Sequence, residues 1–581
     1  MLTPPEQVTS GFRQRRTNGG VLSNWPLRLW RTRHWPLIGR PLLMLMTGVF
    51  AACCSGCTSI GDYIHNGFKV GPNYQKPPAP VASEWIDSKA KGVNVATEDL
   101  RGWWKAFKDP VLDSLIEQAY QQNLTLRSAG TRILAARAQR NIAVGNLFPQ
   151  TQQAFADHNR NQVSATTANT VARTIGGIDI GRRFFNDTTV GVNLSWELDF
   201  WGRFRRGVEA ANAELDASVE NYDDALVLLI SEVASAYVQI RIFQQQLQYV
   251  AGNIEVQSQL VKFAENRLKG GAGRMIDQGQ QRSNLYDTLA LKEQFEVGLR
   301  QANNQLCVLL GVPVRDLVPE LGPGPIPGVV PPEVAVGMPA DLLRRRPDLR
   351  RAERLVAAQS ARIGIATANL YPRFSLIGAL GYESENFRDL FTSKSFIGTI
   401  GPSMRWDILN YGRLVNGIRV QDALFQTAVV DYQNAVLTAG REVEDGVVFF
   451  LRAQTRTKQL IESAKEAKIA ADEAIVLSKD VKFDLNQAFV TSNFLVTQQD
   501  KLAQAQGDIA LGFIQIYKAL GGGWEIRLPE PAPVVAPAPP AENNAAPPKM
   551  APMGARFLTP QSVENVNAEV SEIAQKRDVY R

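Results

Sequence analysis

Hydrophobic residues alternate with polar ones in two short stretches of the chain. Apolar side chains occupy every second position from Val190 to Leu198, and the pattern recurs from Ile400 to Ile408. A period of two over about ten residues predicts a β-strand with one apolar and one polar face. Such a strand suits a half-buried soluble sheet and equally an outer-membrane barrel, and alternation alone does not distinguish the two. Weaker alternation predicts partner strands at 148–157 and 372–382.

Much longer stretches repeat their apolar residues every three or four positions. One runs from Gly202-Arg203 to Lys269, and a second of similar length covers 412–478. At 1.5 Å per residue, a helix of about 67 residues is a rod of roughly 100 Å. Further helices are predicted over 110–146, 274–312, 339–369 and 487–520. Helices in soluble domains average about 11–12 residues, so these rods argue against a compact enzyme.

An unusual phrase occurs twice, as WELDFWGR at 196–203 and as WDILNYGR at 406–413. Identities continue at the same offset between Tyr222 and Tyr432 and between Gly311 and Gly521. A duplication of about two hundred residues explains both copies. Each phrase is expected to mark the point where a strand leaves a membrane and becomes a rod. The aromatic girdle at the interface is then Trp196, Trp201, Trp406 and Tyr411, and the strand-to-helix transitions are Gly202, Arg203, Gly412 and Arg413.

The positive charge of the chain belongs to its first residues. The net charge is +6, and residues 1–40 contain seven arginines, no lysine and one acid, Glu6, which accounts for all of it. A nucleic-acid partner is therefore not expected. The arginines precede about a dozen apolar residues and then small ones, which is the layout of an export signal.

The cysteines indicate a lipid anchor. Cys53, Cys54 and Cys57 cluster at the end of the signal, where a lipobox would place the lipidated first residue of the mature protein. The small residues before Cys57 favour it, and Cys53 is the alternative. Cys307 stands alone in an apolar helical stretch, so no disulfide is expected.

These features divide the chain into six segments: a leader (1–56), a lipid-anchored extended segment (57–108), a first repeat (109–317), a Pro-rich linker whose prolines preclude a helix (318–338), a second repeat (339–525) and a Pro/Ala-rich disordered tail (526–581). The predicted fold class is α+β. Four strands cannot close a membrane barrel, because every backbone group in lipid must be paired. A membrane location therefore requires several chains to pool their strands.

Several motifs resemble the TolC-like outer-membrane efflux factor family, and specifically its lipoprotein (NodT/OprM-like) branch. The similar stretches are WWKAFKDPVLDSLI (103–116), RLKGGAGRMIDQGQ (267–280), PADLLRRRPDLRRAE (339–353) and YKALGGGW (517–524). The resemblance implies a homotrimer with a twelve-stranded β-barrel, four strands per chain, continuous with a periplasmic α-helical barrel. It also implies a periplasmic adaptor (membrane fusion) protein, an inner-membrane RND-type pump or ABC transporter, and outer-membrane lipid as partners.

The resemblance further implies a gate, because acidic rings narrow the pore at the periplasmic helix tips of this family. Asp480 and Asp484, near the second tip, are the candidate gate residues, and adaptor contacts are expected around 268–276 and 478–487. No catalytic, cofactor-binding or metal-binding residues are predicted, because the three histidines are scattered and no nucleophile elbow or phosphate-binding glycine loop appears.

We therefore expect no enzyme but a passive outer-membrane exit duct for small molecules such as drugs, toxic compounds or metal ions. Two alternatives stay open: a type I-like protein-secretion duct, and a non-conducting scaffold that spaces the membrane from the cell wall. The polar face of the alternating strands favours a water-filled lumen over the scaffold.

Overall fold

A computed structural model gives the fold and describes residues 59–94, 100–162, 164, 174–175, 178–179, 184–327, 333–477 and 484–528. The leader and nearly all of the predicted tail lie outside the described residues, as do Cys53, Cys57 and Asp480. The chain divides into two compact units, Met1–Ile526 and Arg527–Arg581, and only the first two residues of the second unit are described.

The described helices and strands alternate twice in the same order, which confirms the α+β fold class. The helices are α1 (Ile60–His65), α2 (Pro110–Gln122), α3 (Leu124–Gly145), α4 (Arg203–Lys269), α5 (Met275–Leu309), α6 (Val318–Leu321), α7 (Leu342–Arg345), α8 (Pro347–Ala368), α9 (Arg413–Leu477) and α10 (Leu485–Ala519). The strands are β1 (Val93–Asn94), β2 (Thr151–Gln162), β3 (Thr174–Ile175), β4 (Ile178–Asp179), β5 (Phe184–Leu198), β6 (Val334–Ala335), β7 (Arg373–Ser384) and β8 (Phe396–Arg405).

The four long strands form one antiparallel sheet in the order β2-β5-β7-β8. The central pair joins the two repeats, since β5 belongs to the first and β7 to the second. Strand β2 continues to Gln162, beyond the predicted end at 157. The prediction stopped short because the added residues are mostly polar and carry no alternation.

The long helices form two antiparallel hairpins, α4 with α5 and α9 with α10, and α4 also packs along α10. The core between them contains Tyr237, Phe450 and Phe513, all fully buried. Trp103 stacks on Tyr517 with ring centroids 5.6 Å apart. The two tryptophans that begin the stretch at 103–116 thus close the end of this core. Helix α4 spans the range that its periodicity predicts.

The Pro-rich linker departs from expectation in one place. The expectation that its prolines exclude any helix was wrong for Val318–Leu321, which form one helical turn. Pro319 lies in the first turn, where the N–H that proline lacks would have no intrahelical acceptor. Farther along, the linker strand β6 pairs in parallel with β1 of the N-terminal segment.

Within the part of the chain that the structure describes, one helix, Arg203–Lys269, is long and apolar enough to cross a membrane, but 72% of its most apolar window is buried inside the structure. That burial is typical of a core helix, because its apolar side chains already contact other helices.

Candidate permeation path

The register of the sheet separates an apolar face from a polar one. Each row of directly paired residues runs across the strands, and neighbouring rows alternate between faces. One face carries the rows Ala154–Val192–Leu380–Gly398 and Ala156–Val190–Tyr382–Phe396. The other carries Gln153–Asn193–Ala379–Thr399 and Glu197–Ser375–Ser403. A sheet built this way can present its apolar face to lipid and its polar face to water.

Charged residues on the polar face lie at the two ends of the sheet. At the end nearest the long helices, Arg373 pairs directly with Arg405. Glu197 is on the same face and accepts a hydrogen bond from Arg203 at 2.9 Å. At the opposite end, the polar face carries Asp157, Asp187 and Glu383. The middle of this face is mostly uncharged, so a solute passing along it would meet its charges at the two ends.

Two of the predicted girdle residues make the same contact in both repeats. The indole N–H of Trp196 donates to the Leu147 carbonyl at 3.1 Å, and that of Trp406 donates to the Leu370 carbonyl at 3.0 Å. Both tryptophans lie at the C-terminal end of the second strand of a pair. They thereby attach the helix-proximal end of that pair to the residues that follow the preceding helix. The equivalence supports the duplication that the repeated phrase predicts.

The other two girdle residues differ from each other. Trp201 donates to the Pro372 carbonyl at 2.8 Å and stacks on Tyr371, with ring centroids 4.5 Å apart. Tyr63 of the N-terminal segment packs against the same indole. Tyr411 is instead 95% exposed. All four aromatics are at the helix-proximal end of the sheet, which is the position a girdle would occupy.

The repeated Gly-Arg pair stands where each strand gives way to a rod. Gly202 has φ of +79° and Gly412 has φ of +80°, a left-handed conformation that glycine adopts without a Cβ clash. A Cβ on Gly202 would also lie 2.9 Å from the Lys69 Cα. Arg203 and Arg413 then begin α4 and α9. The glycines allow the chain to turn sharply between sheet and helix.

The N-terminal segment is fastened beside this junction by a residue that sequence reasoning missed. Arg206, which is almost fully buried, donates to the carbonyls of Val70 and Gly71 at 3.2 and 3.1 Å. Glu209 binds both Arg206 and Lys69. Burial raises the pKa of Glu209, but the hydrogen bonds from Lys69 and Arg206 outweigh it, so the pKa lies below its usual range. The sequence signal for this role of Arg206 was its position on the apolar stripe of a helix, where a charged residue is unusual.

At the far end of the rods, one arginine joins the two helix tips. Arg274 contacts Asp277 at 2.8 Å in the first tip and Asp484 at 3.5 Å in the second. Asp484 also caps α10 by accepting from the Asn486 N–H at 3.0 Å, and its side chain is 63% exposed. The hydrogen bond to Asp277 raises the pKa of Arg274 above the usual value for an arginine. One candidate gate carboxylate is therefore tied to the neighbouring hairpin.

The contact between α4 and α10 becomes polar toward the tips. Gln246 donates to Asp500 at 2.6 Å, and Asn253 donates to Gln499 at 2.8 Å. Farther down, Gln257 reaches the Ser492 hydroxyl at 3.5 Å. We call these three α4 residues and their three α10 partners the polar seam. Sequence reasoning missed it, because glutamines on a long helix normally suggest a solvated face.

Among the described residues, no group of three histidine, cysteine or acidic side chains lies close enough together to hold a metal ion. Cys307 is buried, and its Sγ lies 3.3 Å from the Arg315 carbonyl oxygen.

Comparisons with known proteins agree with this geometry. The profile of a family described as outer membrane efflux protein matches residues 115–312 and 338–522. Nodulation protein T of Rhizobium leguminosarum bv. trifolii is 28% identical over 486 residues, which cover 82% of this chain and 97% of that protein. A probable outer membrane lipoprotein of Salmonella typhimurium, SilC, is 28% identical over 81% of this chain and 96% of its own length.

A solved structure of the outer-membrane channel OprN has a similar fold. It superposes with a TM-score of 0.71 at 30% sequence identity and covers 78% of this chain and 99% of its own.

Proposed function

Because the chain belongs to the outer membrane efflux protein family, we propose which of its residues form the lumen, the gate and the anchor of the duct. The protein is an outer-membrane exit duct of a tripartite efflux system and extends into the periplasm. It works as a trimer with a periplasmic adaptor and an inner-membrane pump. It is a passive conduit and not an enzyme.

The two-faced register of the sheet is the observation that carries the assignment of the lumen. Three copies of β2-β5-β7-β8 close a barrel of twelve strands, in which the row Gln153–Asn193–Ala379–Thr399 faces inward. Three of these four side chains are polar and uncharged, which keeps the lumen hydrated. A hydrated lumen supports a duct over a non-conducting scaffold, because a scaffold has no need of an inner polar face.

We assign small molecules as the cargo: drugs, toxic compounds or metal ions delivered by the pump. The polar face of the four strands suits dissolved solutes of this kind. A protein-secretion duct of the same architecture is the second candidate, and transport assays with each cargo class distinguish them.

The gate is assigned to the second tip, at Asp480 and Asp484. Three copies of an exposed carboxylate beside the pore axis would form a like-charge ring that excludes anions and coordinates cations. Asp484 suits this role because it is exposed at the tip and is tied to Arg274 at 3.5 Å. Adaptor contacts are assigned to the grooves around 268–276 and 478–487.

The anchor is assigned to Cys57, with Cys53 as the alternative. The chain that follows Cys57 begins α1, and the Tyr63 hydroxyl there donates to the Phe200 carbonyl at 2.7 Å. This contact holds the start of the mature segment beside Trp201, at the proposed interface.

Single-channel conductance in planar bilayers tests the duct and its gate together. We expect the parent trimer to show low, cation-selective conductance, and the double variant Asp480→Asn/Asp484→Asn to conduct more and lose that selectivity. Asparagine keeps an N-cap acceptor at 484, so the change isolates charge from helix capping.

The control is Asp422→Ala/Asp431→Ala, which removes two exposed carboxylates from the opposite end of α9. It should leave conductance unchanged. An unaltered conductance in the asparagine variant would keep the duct and remove this gate. Absence of conductance in every correctly assembled trimer would favour the scaffold.

A further inference from the structure

Two arginines stand directly opposite each other on the polar face of the sheet. Arg373 begins β7 and Arg405 ends β8, and the register pairs them. The adjacent pair, Phe374 with Met404, belongs to the apolar face, so both arginines are on the side assigned to the lumen. Like charges directly opposite each other destabilise a strand pair. The stability of the sheet therefore does not explain why two arginines are paired here.

Nearby carboxylates neutralise only part of this charge. Asp407 lies 3.3 Å from the Arg373 guanidinium, with 38% of the arginine side chain exposed. Among the described residues, no carboxylate oxygen lies within 4 Å of Arg405. Two acids that could have helped are engaged elsewhere, Glu197 by Arg203 and Asp199 by Arg205. Each chain thus has two guanidinium groups and one carboxylate here, a net charge of one positive unit.

We infer that Arg373 and Arg405 form an anion-attracting ring where the barrel lumen meets the helical lumen. Three chains bring six arginines to this level. The chemistry that it recognises is a carboxylate, sulfonate or phosphate group on a solute in transit. Opposed guanidinium groups offer the donors that such anions prefer.

This inference rests on the proposed function, because only a closed barrel turns a pair of arginines into a ring. In a narrow lumen with low-dielectric walls, a ring of one sign concentrates counter-ions near it. At 0.1 M salt the Debye length is about 10 Å, so the potential of the ring extends into the lumen beyond direct contact with the side chains. The ring therefore acts on solutes that pass without touching the wall.

The ring and the proposed gate have opposite signs and lie at opposite ends of the rods. While the acidic tips are closed, they control the current and favour cations. Once the tips open, they no longer control the current, and the arginine ring adds a positive charge that competes with the acidic outer end of the sheet. The ion preference should therefore shift toward anions when the duct opens.

Reversal potentials under a KCl gradient test the ring in the open background Asp480→Asn/Asp484→Asn. In that background, Arg373→Gln/Arg405→Gln should lower the chloride-to-potassium permeability ratio by at least about twofold, because the local potential is lost. Arg373→Lys/Arg405→Lys should retain the ratio, since it keeps the charge. The control is Arg388→Gln, an exposed arginine at the opposite end of the β7–β8 hairpin.

Inorganic sulfate provides a second measurement. Added on the helix side, it should reduce chloride conductance in the open background and in the lysine variant but not in the glutamine variant. A trimer band on a gel confirms that each variant is assembled.

The outcomes separate this inference from the proposed function. Conductance with a permeability ratio equal in arginine and glutamine variants overturns the ring and leaves the duct. A lysine variant that loses the ratio as completely as glutamine also overturns it, because charge is then not the cause. Absence of conductance in all variants, the parent included, overturns the duct and the ring with it.

Discussion

At the residue scale, a buried tyrosine joins the start of the first repeat to the linker. The Tyr237 hydroxyl donates to Asp109 at 2.6 Å and accepts from the Arg241 Nε at 3.0 Å. Arg241 in turn donates to the Gly322 carbonyl at 2.7 Å. Burial, with the Asp109 hydrogen bond, raises the pKa of Tyr237 to about 12. The hydroxyl is therefore neutral at any physiological pH and holds three parts of the chain together.

We expect Tyr237→Phe to lower the free energy of unfolding by about 1–3 kcal/mol, because it leaves Asp109 and Arg241 each short of a hydrogen bond. Thermal unfolding of the purified trimer measures the change. Tyr249→Phe is the matched control, since burial raises the pKa of Tyr249 but its hydroxyl has no hydrogen-bond partner among the described residues. Equal melting temperatures for both variants would contradict the prediction.

At the element scale, the two hairpins are joined by unequal contacts along their length. Near the middle of α4, this helix meets α10 closely through apolar groups, and a Cβ on Gly507 would lie 2.1 Å from the Ile242 Cδ1. Toward the tips, the polar seam replaces this packing, with a small apolar cluster of Leu260, Ala474 and Ala488 below it. The Oε1 atoms of Gln246 and Gln257 are buried and have no hydrogen-bond partner within the described part of the chain. Unpartnered buried polar groups weaken a contact, so the hairpins are held less firmly along the polar seam than along the apolar part of their contact.

Gln257→Leu should strengthen the contact between the hairpins, because leucine removes a buried polar group of similar size. We expect a higher melting temperature and a lower open probability in planar bilayers, with unchanged conductance of the open state. Gln248→Leu, on the exposed side of the same helix, serves as control and should change neither quantity. A Gln257→Leu trimer that opens more often than the parent would show that the seam does not restrain the tips.

At the scale of the whole molecule, the sheet is incomplete within one chain. Strands β2 and β8 are its two edges, and their outer backbone groups find partners in neighbouring copies when the trimer closes. The apolar face then meets lipid. Ile400 is on that face, 79% exposed in the single chain, and its neighbour Thr399 is on the polar face.

Adjacent substitutions in β8 should therefore have opposite outcomes. Ile400→Arg places a charge against lipid and should destabilise the inserted state by about 2–4 kcal/mol per chain if near the midplane. Thr399→Arg points into water and should insert normally. Urea titration of the refolded protein in lipid vesicles, together with the yield of gel-stable trimer, measures both. Equal insertion of the two variants would contradict the assignment of the faces.

The sequence alone determined those features whose signal is local and repeated. The helix periodicity of α4 persists from the Gly202-Arg203 transition to the glycines after Lys269, so both ends were predictable. The repeated phrase at 196–203 and 406–413 predicted the duplication. Four strands per chain required an oligomer, because every backbone group in lipid must be paired. Where the periodic signal fades, prediction stopped early, as in β2 beyond residue 157, or missed a turn, as at Val318–Leu321.

Only the tertiary structure decided which distant residues meet. The arginines of the proposed ring are 32 positions apart, and their opposition follows from the register of β7 and β8. Arg206 binds a segment more than a hundred residues earlier, and the polar seam joins α4 to α10 across more than two hundred. A periodic pattern states which face of an element is apolar, because that depends on neighbours in the chain. It does not state which polar side chains will be opposed, because that depends on how two elements align when their apolar faces are buried.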